Sequence, residues 1–292
     1  KWNLNRFLCE ADSAEIKQAS GNIGGKDGLE QELAFLIDVI KNNVPAVLCD
    51  LTNVIRHGDL CLLGASDPAV IEVKSSKNRN KRVERQLESI RKIHKYLEED
   101  VGEVGGVEGM KRVELHDEER HHGKAFNKAL DLSKDRPYVK LNPEKGLHYI
   151  VLNTDHEKDF DEVFKGLEKP VMYMLNEAKT EQRWDNYYPF VLSIKDPTNL
   201  YRFIAGDVYV LVAISSVVLK DMASDIGYDL EVSDNVAFIF SKPIDGCDEP
   251  FRSIVSEHFS GRLGLEFMTL EWFFENEKKL LGDMEAQVVD AM

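Results

Sequence analysis

The hydrophobic positions of this chain fall into blocks of changing period. Leu29, Leu33, Leu36, Ile37 and Ile40 recur at helical spacing and predict an amphipathic helix over 29–42, with Glu30 and Glu32 in its first turn. Ahead of it, Leu4, Phe7, Leu8, Ala11, Ala14 and Ile16 predict a weaker helical lead-in, and the glycine-rich stretch 21–28 a loop. Three short runs then turn to strand character: 45–51, 58–64 and 69–75, the last two joined by the turn Ala65-Ser66-Asp67-Pro68. On the last run, side-chain alternation sets Glu72 and Lys74 on one face and Ile71 and Val73 on an apolar one. The helical period returns over 78–98, with Val83, Leu87, Ile90, Ile93 or His94, and Leu97 as the buried stripe and Gln86 at its edge. A further strand is expected at 147–152, after an insertion of roughly 101–146 that is long for a compact connection.

The second half has a different texture. Phe160, Val163, Phe164 and Leu167 predict a helix, and residues 171–178 after Pro170 read as another. Runs 188–194, 208–214 and 236–240 are strand-like, and an amphipathic helix closes the chain near 270–281. This pattern divides the chain into a first domain at 1–153 and a C-terminal α+β domain at 154–292.

Composition changes the picture in two ways. The 292 residues carry 43% hydrophobic and 30% charged side chains, which is globular, and no run approaches a membrane span, so a soluble, cytoplasmic protein is expected. Cys9, Cys49, Cys61 and Cys247 form no Cys-x-x-Cys pair and read as reduced, buried thiols. The start, Lys1-Trp2-Asn3-Leu4, has neither an initiator Met nor a signal-peptide core, the expectation for a trimmed or processed end. The net charge of −15 is uneven: residues 201–292 hold seven basic against seventeen acidic side chains. Residues 77–95 run the other way, with Lys77, Arg79, Lys81, Arg82, Arg85, Arg91, Lys92 and Lys95 against Glu84 and Glu88 alone. That stripe suits phosphate contacts, and equally a solvated helix face.

The candidate chemistry lies between these blocks. Asp59 on the first strand of the hairpin, Glu72-x-Lys74 on the second and a basic helix carrying Gln86 form a set that resembles the PD-(D/E)XK nuclease superfamily, over about residues 28–98 and at most to 153. The resemblance implies an α/β, restriction-endonuclease-like αβββαβ core with a mixed sheet. It implies Mg²⁺, with Mn²⁺ as a substitute, held by Asp59, Glu72, the Val73 carbonyl and Glu30 from the preceding helix. Lys74 would orient or activate the attacking water, and Gln86 would help position the site. Lys77, Arg79, Lys81, Arg82 and Arg85 are the expected nucleic-acid contacts, DNA being favoured over RNA. Gly58 stands where the motif's name has Pro, and Ile90 where the RecB-like form has Tyr four residues after its Gln.

Other constellations are weaker. The loop 21–28 lacks the order of a phosphate-binding GxxxxGK[ST]. His116, His121 and His122 with Asp117, Glu118 and Glu119 lack the spacing of a zinc helix and read as a polar surface helix. Trp184, Tyr187 and Tyr188 suit base stacking or, more simply, a domain edge. Two further functional classes stay open: a nucleic-acid-binding module that does not cut, and a protein-interaction role, as homodimer or with another partner, for the acidic C-terminal domain.

Overall fold

A computed structural model describes residues 28–49, 58–73, 81–104, 107–112, 117–156, 159–167, 169–176, 193–233, 237–244, 246 and 249–290. The lead-in helix at 4–20, most of the strand at 188–194 and the aromatic residues Trp184, Tyr187 and Tyr188 lie outside them. Helices and strands mix throughout, and every strand pairing among the described residues is antiparallel, so the mixed sheet expected from sequence is not what forms. The chain divides into two units, one of residues 1–114 and 183–189, the other of 115–182 and 190–292.

The first unit begins with α1 (Leu29–Lys41), then β1 (Ala46–Leu48), β2 (Leu60–Leu62) and β3 (Ala69–Ile71), then α2 (Lys81–Glu99) and a hairpin of β4 (Val101–Val104) and β5 (Val107–Lys111). The strands pair in the order β1-β2-β3, with Cys61 opposite Val70 and Val47 opposite Cys61. Ile90, Ile93, Tyr96 and Leu97 of α2 close over Cys49, Cys61 and Val70 to make the core. Val70 is therefore the inward residue of β3, and the face expected to be core, Ile71 and Val73, is only half-buried. The difference follows from which side α2 covers. The β2–β3 turn is tied down at its far end, where Arg112 pairs with Asp67 and Asp100 at 2.6 Å each. Residues 101–111, expected to open an insertion, are instead a hairpin beside α2, from which Lys92 reaches Glu103 at 3.6 Å.

α1 also turns differently from its sequence pattern. Its inward stripe is Leu29, Glu32, Leu36 and Val39, with Glu32 only 4% exposed, while Leu33, Ile37 and Ile40 remain exposed.

The second unit is built on a four-stranded sheet in the order β6-β7-β9-β8, from β6 (Tyr138–Glu144), β7 (Leu147–Asn153), β8 (Pro170–Met174) and β9 (Val208–Ser215). β7 lies at its centre, paired with β9 from Leu147–Ile214 to Asn153–Val208. The strand expected to complete the first domain thus belongs to the other unit, which moves the boundary from 153 to 114. Residues 171–174, expected to be helical, form β8 because they pair along the edge of β9, where Asn176 accepts from Val210 N–H at 2.9 Å and donates to the Val208 carbonyl. α3 (Gly123–Leu132) packs on β6 and β7, and α4 (Phe160–Phe164) and α5 (Pro197–Ala205) are capped by Asp159 and Asp196. Buried Phe126 stacks on Phe267 with ring centroids 4.0 Å apart, and Tyr149 meets both rings edge-on.

The apolar run after Val208 does not continue as one element: Ser215 accepts from Val218 N–H and starts α6 (Ser216–Asp225). A second sheet follows, β10 (Asp229–Val232), β11 (Phe238–Lys242) and β12 (Phe251–Val255), in that order. Two short helices, α7 (Glu257–Ser260) and α8 (Arg262–Leu265), lead into the long α9 (Leu270–Asp290). Residues 118–122, expected in a helix, are not helical, because His121 forms a bridge to Met268 and the Arg120 carbonyl accepts from Thr269 N–H. Among the described residues no helix is long and apolar enough to cross a membrane.

Candidate functional site

The site expected from sequence sits at the open end of the β2–β3 hairpin, opposite the turn held by Arg112. Gly58 enters it with φ of +69°, a conformation closed to proline, whose ring fixes φ near −65°. A side chain there would also collide with β3: a Cβ would lie 2.4 Å from Val70 Cγ1 and 2.8 Å from the Ile71 carbonyl oxygen. This backbone thus accepts glycine at position 58 and excludes proline.

Asp59 then joins both neighbouring strands. Its N–H donates to the Ile71 carbonyl at 2.8 Å, its carbonyl accepts from Cys49 N–H at 2.9 Å, and its Oδ2 accepts from Val73 N–H at 2.8 Å. The last bond fixes the Asp59 carboxylate against the peptide that joins Glu72 to Val73. It is the Val73 N–H, rather than its carbonyl, that engages Asp59. Continuing the alternation of β3, Glu72 falls on the side of Val70, the face that α2 covers, and its Oε2 is shielded from solvent. Asp59 and Glu72 are thus brought to neighbouring strand ends.

Lys74 lies outside the described residues, as do Lys77 and Arg79. Gln86 and Arg82 are placed in α2 by their backbone alone. Lys81 and Arg85 are exposed on the first turns of α2, as is Arg91 further along, whereas Lys92 and Lys95 are engaged with Glu103 and Glu99. On α1, Glu30 is exposed and Glu32 is the buried acid. A carboxylate on an inward stripe requires compensating contacts, and no periodicity argument singles it out. His94, two turns after Gln86, was expected only as an alternative to Ile93 in the buried stripe; its Nε2 is buried with no hydrogen-bond partner among the described residues. Among the described residues no group of three or more His, Cys, Asp or Glu side chains comes together as a metal site.

The histidines and acids of 117–122 belong to a different arrangement, in the second unit. Arg262, 2% exposed, holds Glu119 through two bonds of 3.0 and 2.8 Å and Glu266 through one of 2.7 Å. Burial alone would raise the Glu119 pKa, but hydrogen bonds from His121 and Arg262 and their charges overcome it and hold it at about 2. His121 Nδ1 lies 3.0 Å from the Glu266 carbonyl, and His122 Nε2 3.3 Å from Glu144. These are structural ties from the segment 119–122 to α8, to Glu266 at its C-terminal end, and to Glu144 at the end of β6. No family model, no curated protein and no solved structure matches this chain.

Proposed function

We propose that the first unit is the core of a metal-dependent nuclease that hydrolyses phosphodiester bonds, with DNA as the favoured substrate. The observation that carries this reading is the Val73 N–H bond to Asp59 Oδ2, which orients one carboxylate beside the Glu72 peptide. The order α1, β1, β2, β3, α2 supports it, as do the exposed Lys81 and Arg85 following the hairpin. Two hard-oxygen carboxylates suit Mg²⁺, which commonly takes one or two carboxylates and completes its shell with water and phosphate. Asp59 and Glu72 are the residues that would hold it. Such an ion, when bound, offsets charge on the phosphoryl oxygens and makes water more acidic. The role of the protein is to keep the Asp59 carboxylate aimed, to present Glu72 on the α2 side, and to bring the Lys74 ammonium to the attacking water. Exposed cations on α2 neutralise substrate phosphates.

The decisive assay compares wild type with Lys74→Ala on single-stranded, duplex and branched DNA and on RNA, with Mg²⁺ or Mn²⁺. Cleavage by the wild type and a loss of at least about a hundredfold in the variant is expected. Asp59→Asn, which retains an acceptor for Val73 N–H, is expected to be equally inactive while still folded. Intact substrates under every condition would remove the nuclease reading. The exposed Lys81, Arg85 and Arg91 favour one second reading, a module that binds nucleic acid without cutting; in that case salt-sensitive binding survives Glu72→Ala.

A further inference from the structure

In the first unit, α1 keeps an apolar stripe on its outside. Leu33, Ile37 and Ile40 are 38%, 51% and 51% exposed, and they follow one another at helical spacing over about 10 Å of one face. Beside them the helix turns Leu29, Glu32, Leu36 and Val39 inward. The apolar side of α1 is thus wider than the surface it rests on, and an acid is taken inside while three large aliphatic side chains stay out. Single exposed aliphatic residues are ordinary, whereas a continuous row of them marks a surface that another chain covers.

The charges beside the stripe say what covers it. With 3.6 residues per turn, Glu30 and Lys41 stand about 60° and 80° around the helix from Leu33, on the same flank and about three turns apart. Ala34, about 100° round, lies between them along the same flank. All three are exposed, and among the described residues neither charged side chain makes an ion pair or hydrogen bond. A two-fold axis perpendicular to a helix pair returns each flank to itself with its direction reversed. Glu30 of one copy then meets Lys41 of the other, twice, and Ile37 of each copy rests against Leu33 and Ala34 of the other, where the small Ala34 lets the backbones approach. A parallel pair would instead oppose Glu30 to Glu30 and Lys41 to Lys41.

We infer that α1 is a self-association surface: two copies of this chain pair antiparallel through Leu33, Ile37 and Ile40, with Glu30–Lys41 ion pairs at both ends of the contact. Two helices of 13 residues cover less than the ~1,200 Å² at which stable interfaces begin, so the dimer is weak and reversible, with a Kd on the order of 100 µM. The contact lies in the first unit, not in the acidic C-terminal domain where the sequence placed a possible homodimer. The inference does not depend on the nuclease reading.

Sedimentation equilibrium of the full chain between about 5 µM and about 1 mM is expected to show a monomer–dimer equilibrium. Ile37→Glu, near the two-fold axis, is expected to weaken it at least about tenfold without lowering the unfolding temperature, since the side chain it replaces is half exposed. Glu30→Lys and Lys41→Glu are each expected to weaken self-association about fivefold, because each sets like charges together at both ends of the contact. An equimolar mixture of these two variants restores both ion pairs, so labelled Glu30→Lys should associate with unlabelled Lys41→Glu within about twofold of the wild-type affinity. This rescue separates a matched surface from a damaged helix, since each variant brings its own altered charge into the mixture. The inference is overturned if the chain stays monomeric to about 1 mM, which leaves the stripe to a different occupant. It is equally overturned if Ile37→Glu associates like wild type, which moves the contact to another surface, or if the mixture associates no better than either variant alone.

Discussion

The β1–β3 sheet and the β6–β9 sheet satisfy backbone hydrogen bonds with very different resources. Among the described residues the first uses three strands of three residues, covered by one helix over a core of seven buried side chains. The second uses strands of five to eight residues, with both central strands almost wholly buried and an aromatic cluster behind them. The charged groups follow the same division. In the first unit, Asp59 and Glu72 sit at strand ends near the surface, while in the second, Arg262, Glu119 and Glu266 form a network inside the fold. If Asp59 and Glu72 exchange ligands as proposed, the lightly built framework suits them, while residues that must not move belong in the dense one.

The largest expected effect tests the dense side. Arg262→Met leaves Glu119 and Glu266 without their shared cation, and breaking a buried pair from one side typically costs about 3–5 kcal/mol. Hydrogen exchange at the β7 and β9 amides should accelerate accordingly. Combining it with Glu119→Gln and Glu266→Gln should restore a substantial part of the loss, because no uncompensated charge then remains. Recovery of none would mean that the guanidinium acts through packing, for instance against Phe259, whose ring centroid lies 5.6 Å away.

Next in size is Gly58→Ala, on the light side. It combines a positive φ with a 2.4 Å approach to Val70, and such strain costs about 1–3 kcal/mol. Faster exchange at the β2 and β3 amides is the expected result, together with loss of any cleavage, because Asp59 follows directly. The equivalent change in the second unit, Gly146→Ala, has φ of +79° and a 2.7 Å approach to Val218. Its cost should be similar, but spread over a sheet with more to hold it.

The same contrast governs what the sequence discloses. The hairpin that carries Asp59 and Glu72 is legible because alternation and a turn signal place its strands locally, whereas the face that α2 covers, that of Val70 and Glu72 rather than Ile71 and Val73, is not. The inward face of α1 is not: the pattern favours Leu33, Ile37 and Ile40, and the fold buries Glu32 instead. An acid is acceptable there only through contacts made elsewhere in the unit, which local periodicity does not encode. β8 and the pairing of β7 escape the pattern for a related reason. Val171–Met174 has no alternation because its strand character comes from lying against β9, and Leu147–Leu152, a strand as expected, looks complete as the last strand of the first domain until β9, some sixty residues later, pairs with it. The segment 117–122 is polar enough for a surface helix, and distant partners, Arg262, Met268 and Lys279 of α9 among them, hold it out of one.

A smaller, pH-dependent effect sharpens the account of the dense side. The Glu119 pKa is lowered from an ordinary 4.5 to about 2 in the fold. The stability this represents is therefore complete above about pH 4.5 and is lost as pH falls toward 2, where the folded carboxyl also takes up a proton. After allowance for screening it is worth roughly 2 kcal/mol. Glu119→Gln should flatten the decline of unfolding free energy between about pH 5 and pH 2. An unchanged slope would assign the acid sensitivity to other carboxylates.

The smallest effect on folding gives the finest test of the light side. Lys95 and Glu99 lie one helical turn apart at 3.8 Å, and Lys92 meets Glu103 at 3.6 Å, all on exposed side chains. Pairs of this kind are worth about 0.5 kcal/mol or less, so Lys92→Gln and Lys95→Gln should scarcely alter unfolding. Their use in DNA binding should be just as slight, since each cation is already matched within the chain. Lys81 and Arg85 have no acidic side chain within ion-pairing distance among the described residues and stand on the end of α2 nearest the hairpin in sequence. If α2 contacts phosphates, Lys81→Gln and Arg85→Gln should each reduce the slope of log affinity against log salt by about 0.9, while Lys92→Gln and Lys95→Gln leave it nearly unchanged. Equal slopes for all four would make the stripe a solvated helix face, and the proposed nuclease role of the light unit would then rest on Asp59 and Glu72 alone.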